Sequence, residues 1–382
     1  MKYDFIIFGG TGFQGKICAR DLLEQGYSTL LVGRNPSMIK DILKNPRAAF
    51  LKLNLKDENK IIEAIKKSKA DVVVNCSEHY FNTPIMNACL RAKRPYTDLG
   101  GTKKETEEAF SFDESFRKSG IIGITGCGST PGISNVMTAY EIKDFDSVEE
   151  IFLGFAWDSN IKKFYPPYSM NTIFEELTEA PNLLENGKVV KSEKFRCMGT
   201  FNFKGVGKQT TYCIEHSEVY TYPRYFKKYG LRHLHYMAGF PKHSLDVIQT
   251  LIDLGFDSKE PMKINGASMS PIDFTTKVIK RIAVPKGYKE VENIWVRLKG
   301  IKGGKKKEAK MECIVRTTPG WEEAGSNVDT GRTISIISQM LKKGLIKERG
   351  VYGPEAVVPQ TNFFKELAKR KMFIYENGRK IN

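Results

Sequence analysis

The sequence predicts an α/β protein: a doubly wound parallel sheet, a second α+β domain, and C-terminal helices that return to the first. Three observations lead there. Through the first third of the chain, short apolar runs of β type alternate with stretches of helical spacing. The first apolar run ends in a set of spaced glycines. After about Asp146 the texture changes to longer strand-like runs with few helices between them. The expected division is residues 1–130, completed by 331–382, for the parallel-sheet domain, and 131–330 for the α+β domain.

The elements follow in order. Phe5–Phe8 is the first strand, Gly9–Gly15 the turn, and from Lys16 the positions Ile17, Arg20, Leu22 and Leu23 have helical spacing up to Gly26. Ser28–Val32, Ala49–Leu53, Asp71–Cys76, Pro95–Leu99 and Ile121–Thr125 are further strands. Between them lie helices at Met38–Leu43, Glu58–Ser68, Thr83–Ala92 and Lys104–Lys118. In the second domain, Glu150–Trp157, Phe195–Phe203, Thr211–Glu215 and Leu231–Tyr236 read as strands, and Leu245–Leu254 and Phe274–Ile282 as helices. Asn293–Leu298 and Met311–Arg316 form a hairpin across a lysine-rich loop, Lys302–Lys310. Helices at Ile334–Lys343 and Phe363–Lys369 close the chain.

At 382 residues with 41% hydrophobic content, the chain can bury two sizeable cores. No apolar run approaches the roughly 18 to 20 residues that span a bilayer, and the chain opens directly on a strand, so a membrane role is excluded and a cytoplasmic home is expected. The net charge of +16 invites a nucleic-acid reading. Against it, the lysines are spread along the chain and no helix-turn-helix, RNP-like or zinc-finger pattern is present, so a lysine-biased surface is the better reading. Seven cysteines without a C-x-x-C pair read as reduced thiols. His233 and His235 alternate onto one strand face with no third ligand evident, and no metal site is expected.

Strand, glycine turn, helix is the context in which Gly10-x-Gly12-x-x-Gly15 means dinucleotide binding. Gly10 is expected to make the tight turn, Gly12 to admit a pyrophosphate, and Gly15 to let helix and strand pack closely; Thr11, Phe13 and Gln14 complete the loop. Asn75, Cys76 and Ser77, at the end of the fourth strand, lie where the cofactor should cross. The second strand ends at Gly33-Arg34-Asn35. A carboxylate there binds the ribose 2′-hydroxyl of NAD; Arg34 suits the 2′-phosphate of NADP instead, with NAD still possible. Gly128–Asn135 carries the signals of a helix start, with Ser129 or Thr130 as cap and Pro131 in the first turn, so its N-terminus is expected to favour an anionic group such as a substrate carboxylate.

Seven local strings occur in one order: Gly9–Gly15, Asp71–Cys76, Tyr96–Gly101, Gly126–Gly132, Pro167-Tyr168-Ser169 with Thr172 and Glu175-Glu176, His216-Ser217-Glu218, and Gly350–Glu355. Together they resemble the saccharopine dehydrogenase family, in the branch with saccharopine reductase, lysine epsilon-dehydrogenase and carboxynorspermidine synthase. The resemblance runs from residue 1 to about 372. It implies a Rossmann-like domain completed by C-terminal helices, an inserted α+β domain that often mediates homodimerisation, and hydride transfer between a nicotinamide and a carbon–nitrogen bond. Two departures stand out: Arg34 where an NAD enzyme has an acid, and Pro271-Ile272-Asp273 where family members often show Pro-Arg-acid.

Asp98 and Cys127 lie at adjacent strand ends beside the expected crevice, so either could touch the reacting centre; a loop-capping Asp and a buried thiol are the alternatives. Glu78 and His79 follow the fourth strand on the expected substrate side, and Tyr168, Ser169 and His216 join them by resemblance. The sequence thus leads to an NADP-dependent oxidoreductase acting on a C–N bond. Its expected substrate is an amine or imine formed from an amino-acid semialdehyde and an amino acid or diamine. The rivals are a lysine or diamine oxidative deaminase and a nucleotide-sensing protein without catalysis.

Overall fold

The computed structural model describes residues 2–194 and 197–382. The first sheet holds seven parallel strands, in the order Gly350–Tyr352, Ile122–Ile124, Tyr96–Asp98, Val72–Asn75, Phe5–Phe8, Thr29–Gly33 and Ala48–Lys52. Phe5–Phe8 and Val72–Asn75 are buried on both faces, which is why they read as continuous apolar runs. One face packs Phe5, Ile7, Val72 and Val74 under the helices Phe13–Glu24, Ile133–Glu141 and Val328–Lys342. The other packs Ile6, Phe8 and Val73 under Glu58–Ser68 and Asn82–Ala92.

Several elements differ from the sequence reading. The first helix begins at Phe13, one turn before Lys16. Met38–Leu43 is two short 3₁₀ turns, and Lys104–Lys118 is split at Phe112 into two helices. The seventh strand, Gly350–Tyr352, is too short to leave a periodic signal. Phe195 lies outside the described residues, and the strand expected from there runs over Met198–Phe203.

The second sheet is mixed. Its main order is Met198–Phe203, Gly207–Cys213, His233–Gly239, Ser147–Ser159, Glu290–Lys302, Lys305–Arg316, Phe373–Glu376 and Arg379–Lys380. The tail therefore divides: Val328–Lys342 packs on the first domain, whereas Phe373–Glu376 pairs with Lys305–Arg316 in the second sheet and not with the domain expected to hold 331–382. Lys302–Lys310 is not a loop either. The turn is Gly303-Gly304, both at positive φ, and the lysines continue as strand, with Lys307 salt-bridged to Asp144 and Glu141. Cys197 and Cys213 form a disulfide, in contrast to the expected reduced thiols, because the hairpin places them opposite one another; the other five cysteines are free. No helix among the described residues is long and apolar enough to cross a membrane.

Helix Ile133–Glu141 is buried around nearly its whole circumference because it lies between the two sheets. Val328–Lys342 crosses Phe13–Glu24 closely; a Cβ at Gly331 would sit 2.5 Å from Ile17. The same junction holds a buried ion pair. Arg370 donates to both oxygens of Asp21, at 2.7 and 2.9 Å, and the Ser335 hydroxyl donates to Oδ2 at 2.6 Å. Removing one member would strand the other charge in the core, so Asp21→Ala should cost about 3–5 kcal/mol. Urea unfolding measures this directly; a loss below about 1 kcal/mol would show that the pair does not anchor the C-terminal helices.

Candidate active site

The glycine turn is built as a cradle. Its sharp bend falls on Gly9, at φ +73°, and not on Gly10, which instead lies against Leu31, where a Cβ would approach within 2.9 Å. At Gly15 a Cβ would meet the Gly9 carbonyl at 2.2 Å, so the helix can approach only without one. Gly12 is open apart from that carbonyl, and its backbone caps helix Phe13–Glu24. Gln14 keeps a buried Oε1 without a hydrogen-bond partner beside this turn. These features fit a dinucleotide whose phosphates rest on the helix start. Phe13 is exposed, and Thr11 rests against Gly33, beyond which Arg34 is exposed to solvent.

The neighbouring loop is braced internally. Asn75 is buried, donates to Asn82 and Tyr96, and accepts from the Ser77 amide and hydroxyl, so its side chain shapes the loop and is not available to a cofactor. The Cys76 amide is likewise spent on Phe8, while the Cys76 side chain and Ser77 are only half-buried. Glu78 is exposed and His79 half-buried, its Nε2 4.0 Å from Glu105.

Asp98 and Cys127 are both closed off from solvent. Asp98 Oδ1 accepts from the Gly100 amide at 2.7 Å, the Thr125 hydroxyl at 2.8 Å and the Gly126 amide at 3.0 Å. Its carboxyl is sealed from solvent and burial raises its pKa; it is the loop-capping Asp. Cys127 is fully buried, its thiol turned to the Ile124 carbonyl, and burial pushes its pKa well up, which leaves an inert thiol.

The helix start after this turn is also not free for a substrate anion. The cap is Gly132, at φ +139°, where a Cβ would collide with Gly128 O at 1.8 Å. The Gly132 amide donates to Asn135 Oδ1, and those of Ile133 and Ser134 to the carbonyls of Gly128 and Ser129. Two buried carboxylates already complement the positive end: Glu218 takes the Ser134 hydroxyl at 3.1 Å, and Glu355 takes the Asn135 amide group at 2.8 Å. Burial pushes the Glu355 pKa up to about 7.

Beyond Thr130 side chains of the two domains meet near the C-terminal ends of the parallel strands, where the ligand crevice of open α/β folds is found. The Tyr236 hydroxyl donates to Thr130 at 2.7 Å, and the His216 ring stacks flat on Tyr236 with centroids 3.6 Å apart. His216 Nδ1 is held by Glu218; burial pulls its pKa down, but the charge and hydrogen bond of Glu218 together with the charges of Glu176 and Glu215 more than offset this, leaving it above the usual imidazole value. Tyr168 donates to Glu176, whose pKa burial pushes up to about 7. Glu292, on strand Glu290–Lys302, adds its charge to Tyr168 and Tyr236; burial and then the Asp329 charge drive its own pKa well up. Asp329, near Ser129, is pushed up to about 7, chiefly by burial, and its Oδ2 is buried without a partner. Glu176, His216 and Glu292 are half-buried, as groups lining a crevice are.

Tyr168 and His216 thus lie near one another about Glu176 and Tyr236, whereas Ser169 is exposed and heads helix Met170–Thr178. Glu292 and Asp329 had no local signature beyond an acid in an otherwise inward-facing register; Glu176 and Glu355 stood in the quoted strings without a role. None of Glu176, Glu292, Asp329 and Glu355 is salt-bridged to a lysine or arginine among the described residues.

Comparison with known proteins agrees with this architecture. The profile described as saccharopine dehydrogenase NADP binding domain matches residues 5–124, and that described as saccharopine dehydrogenase C-terminal domain matches 128–372. Carboxynorspermidine synthase of Vibrio alginolyticus is 26% identical over 341 residues, covering 84% of this chain and 80% of that one. Carboxyaminopropylagmatine dehydrogenase of Synechocystis is 21% identical over 371 residues, 93% of each. The apo structure of saccharopine dehydrogenase (L-Glu forming) from Saccharomyces cerevisiae shares the fold over 100% of both chains, with a TM-score of 0.76 at 11% identity. With both of its halves matched, the chain belongs to the saccharopine dehydrogenase family of NADP-binding oxidoreductases, which act on CH–NH groups.

Proposed function

We propose that this protein is an NADPH-dependent reductase that joins an aldehyde to a diamine, reducing the imine to a secondary amine. The carrying observation is the set of crevice carboxylates, Glu176, Glu292 and Asp329, none of which has a lysine or arginine partner among the described residues. Ionised carboxylates in such a place are costly unless a positive charge arrives. The far ammonium of a diamine supplies it, whereas a dicarboxylic amino acid such as glutamate would add further negative charge. The names of the two relatives, which refer to carboxynorspermidine and carboxyaminopropylagmatine, support an amine-rich substrate.

The bound nicotinamide would supply the hydride. Gly9, Gly12, Gly15 and Gln14 would hold the dinucleotide, and Arg34 its 2′-phosphate. Glu176, Glu292 and Asp329 orient the amine by its distal charge. His216, with Nδ1 fixed by Glu218, presents Nε2 as the group that exchanges a proton with the substrate nitrogen. Tyr236 and Thr130 keep that ring in place.

Three outcomes are expected. In cofactor titrations Arg34→Ala should weaken NADPH about ten- to a hundredfold, the worth of charge-assisted bonds to a phosphate, and leave NADH unchanged; equal wild-type affinities for the two cofactors would remove the 2′-phosphate assignment. NADPH oxidation should require aldehyde and diamine together, and KM for the diamine should fall as pH rises through about 7, where Glu176 and Asp329 ionise. Faster turnover with glutamate than with any diamine would refute the cationic-substrate reading, and ammonia release from lysine alone would move the assignment to oxidative deamination. The third outcome concerns stability. The folded pKa of Glu176 is raised from 4.5 to about 7, so the stability its protonated form contributes is complete below pH 4.5 and lost as pH rises through 7. Glu176→Gln should therefore raise Tm at pH 8 and leave it nearly unchanged at pH 4.5; a lower Tm at pH 8 would contradict the burial cost.

A further inference from the structure

The outer face of the mixed sheet carries a second group of reactive side chains, away from the crevice. Alternation along His233–Gly239 turns Leu234, Tyr236 and Ala238 into the main core, and Met237 into a separate outer cluster with Cys213, Phe203 and Trp295. His235 shares that outer register, its ring edge-on to Phe152 at 5.1 Å. Strand Gly207–Cys213 runs antiparallel beside it and brings Cys213 opposite Cys197, whose carbonyl accepts the Cys213 amide at 3.0 Å. His235 Nδ1 lies 3.7 Å from Cys197 Sγ, and both sulfurs and this nitrogen fall within 4.8 Å of one another.

The imidazole is oriented from behind. Glu185, on the adjoining strand Asn182–Glu185, accepts from His235 Nε2 at 2.5 Å and, through its other oxygen, from His233 Nδ1 at 2.5 Å. A carboxylate that receives two such bonds stays ionised and accepts only, so Nε2 carries the hydrogen and the Nδ1 lone pair of neutral His235 is directed at the sulfurs. A carboxylate behind a histidine whose other nitrogen faces thiols is the arrangement that supports a metal ligand. Bond lengths of about 2.3 Å to sulfur and about 2.0 Å to nitrogen put tetrahedral sulfur and nitrogen ligands about 3.5 Å apart, close to the 3.7 Å seen here.

We propose that Cys197, Cys213 and His235, once the disulfide is reduced, form a binding site for zinc or a similar soft divalent ion, with Glu185 fixing the imidazole. A phosphine reductant breaks the S–S bond by a two-electron reduction; it becomes the phosphine oxide, and water supplies the oxygen and the two protons of the thiols. Metal binding then displaces those two protons, leaving two thiolates and a neutral imidazole on the ion and a fourth position for water. Cys197 and His235 are half-buried, so reductant and ion can both reach the site. The disulfide and the metal are alternative clasps for the strands Met198–Phe203, Gly207–Cys213 and His233–Gly239.

The test uses untagged full-length protein, oxidised or reduced with tris(2-carboxyethyl)phosphine, exposed to zinc or cobalt(II), then desalted and assayed for metal. The reduced protein should retain one ion per chain and the oxidised protein none, and cobalt should show thiolate charge-transfer absorption. Cys197→Ser/Cys213→Ser should abolish retention, and Glu185→Gln should weaken it by about ten- to a hundredfold, both with unchanged NADPH binding as evidence of folding. Absence of metal from the reduced protein, equal retention by the oxidised form, or cobalt bound without the thiolate band would overturn the assignment.

Discussion

Three buried carboxylates hold the segment Thr125–Asn135, and both the crevice and the meeting of the two sheets depend on it. Asp98 gathers the Gly100 and Gly126 amides and the Thr125 hydroxyl onto one oxygen, so the loop leaves its strand at a fixed angle. Glu218 and Glu355 reach the start of the next helix from distant parts of the chain. A helix N-terminus enclosed by protein leaves amide donors and a partial positive charge to be satisfied; Asn135 and the Gly128 and Ser129 carbonyls take the amides, and Glu218 and Glu355 complement the charge. The same contacts explain why the helix start does not serve as an anion site, and why Thr130 can stay half-exposed at the crevice, taking the Tyr236 hydroxyl.

Around that segment the fold keeps charge that it does not neutralise. Glu176, Glu292 and Asp329 come from a helix and a strand of the second domain and from the first turn of a helix packed on the first. Their raised pKa values have one leading cause, burial, opposed at Glu176 in part by the His216 charge and at none of the three by a lysine or arginine. Elsewhere buried carboxylates are either paired, as Asp21 with Arg370, or held by several neutral donors, as Asp98 is. On the proposed reading, the charge that the crevice carboxylates lack is supplied by the ligand.

The parallel sheet was legible because each of its central strands is buried on both faces and so appears as an apolar run, and the Gly9–Gly15 turn because close packing there excludes a side chain. The short strand Gly350–Tyr352 was not, since three residues carry no period. At the site, His216 and Tyr168 were found through their strings. Glu292 and Asp329 were not, because their meaning lies in a register that brings distant segments together. Asp98 was open to two readings, a reacting group or a loop cap, and its three donors favour the cap. Cys197 and Cys213 looked unrelated at a separation of 16 residues until hairpin pairing set them side by side.

The most direct measurement is calorimetric titration of the NADPH-bound protein with a diamine near pH 7, in buffers of different ionisation enthalpy. If the crevice carboxylates receive the cation, binding lowers their pKa values from about 7 and releases protons to the buffer. The heat should therefore vary with the buffer, and this variation should shrink in Glu176→Gln and in Asp329→Asn. Diamine binding with the same heat in every buffer, or tighter binding of a dicarboxylic amino acid than of any diamine, would contradict an acid-lined amine site.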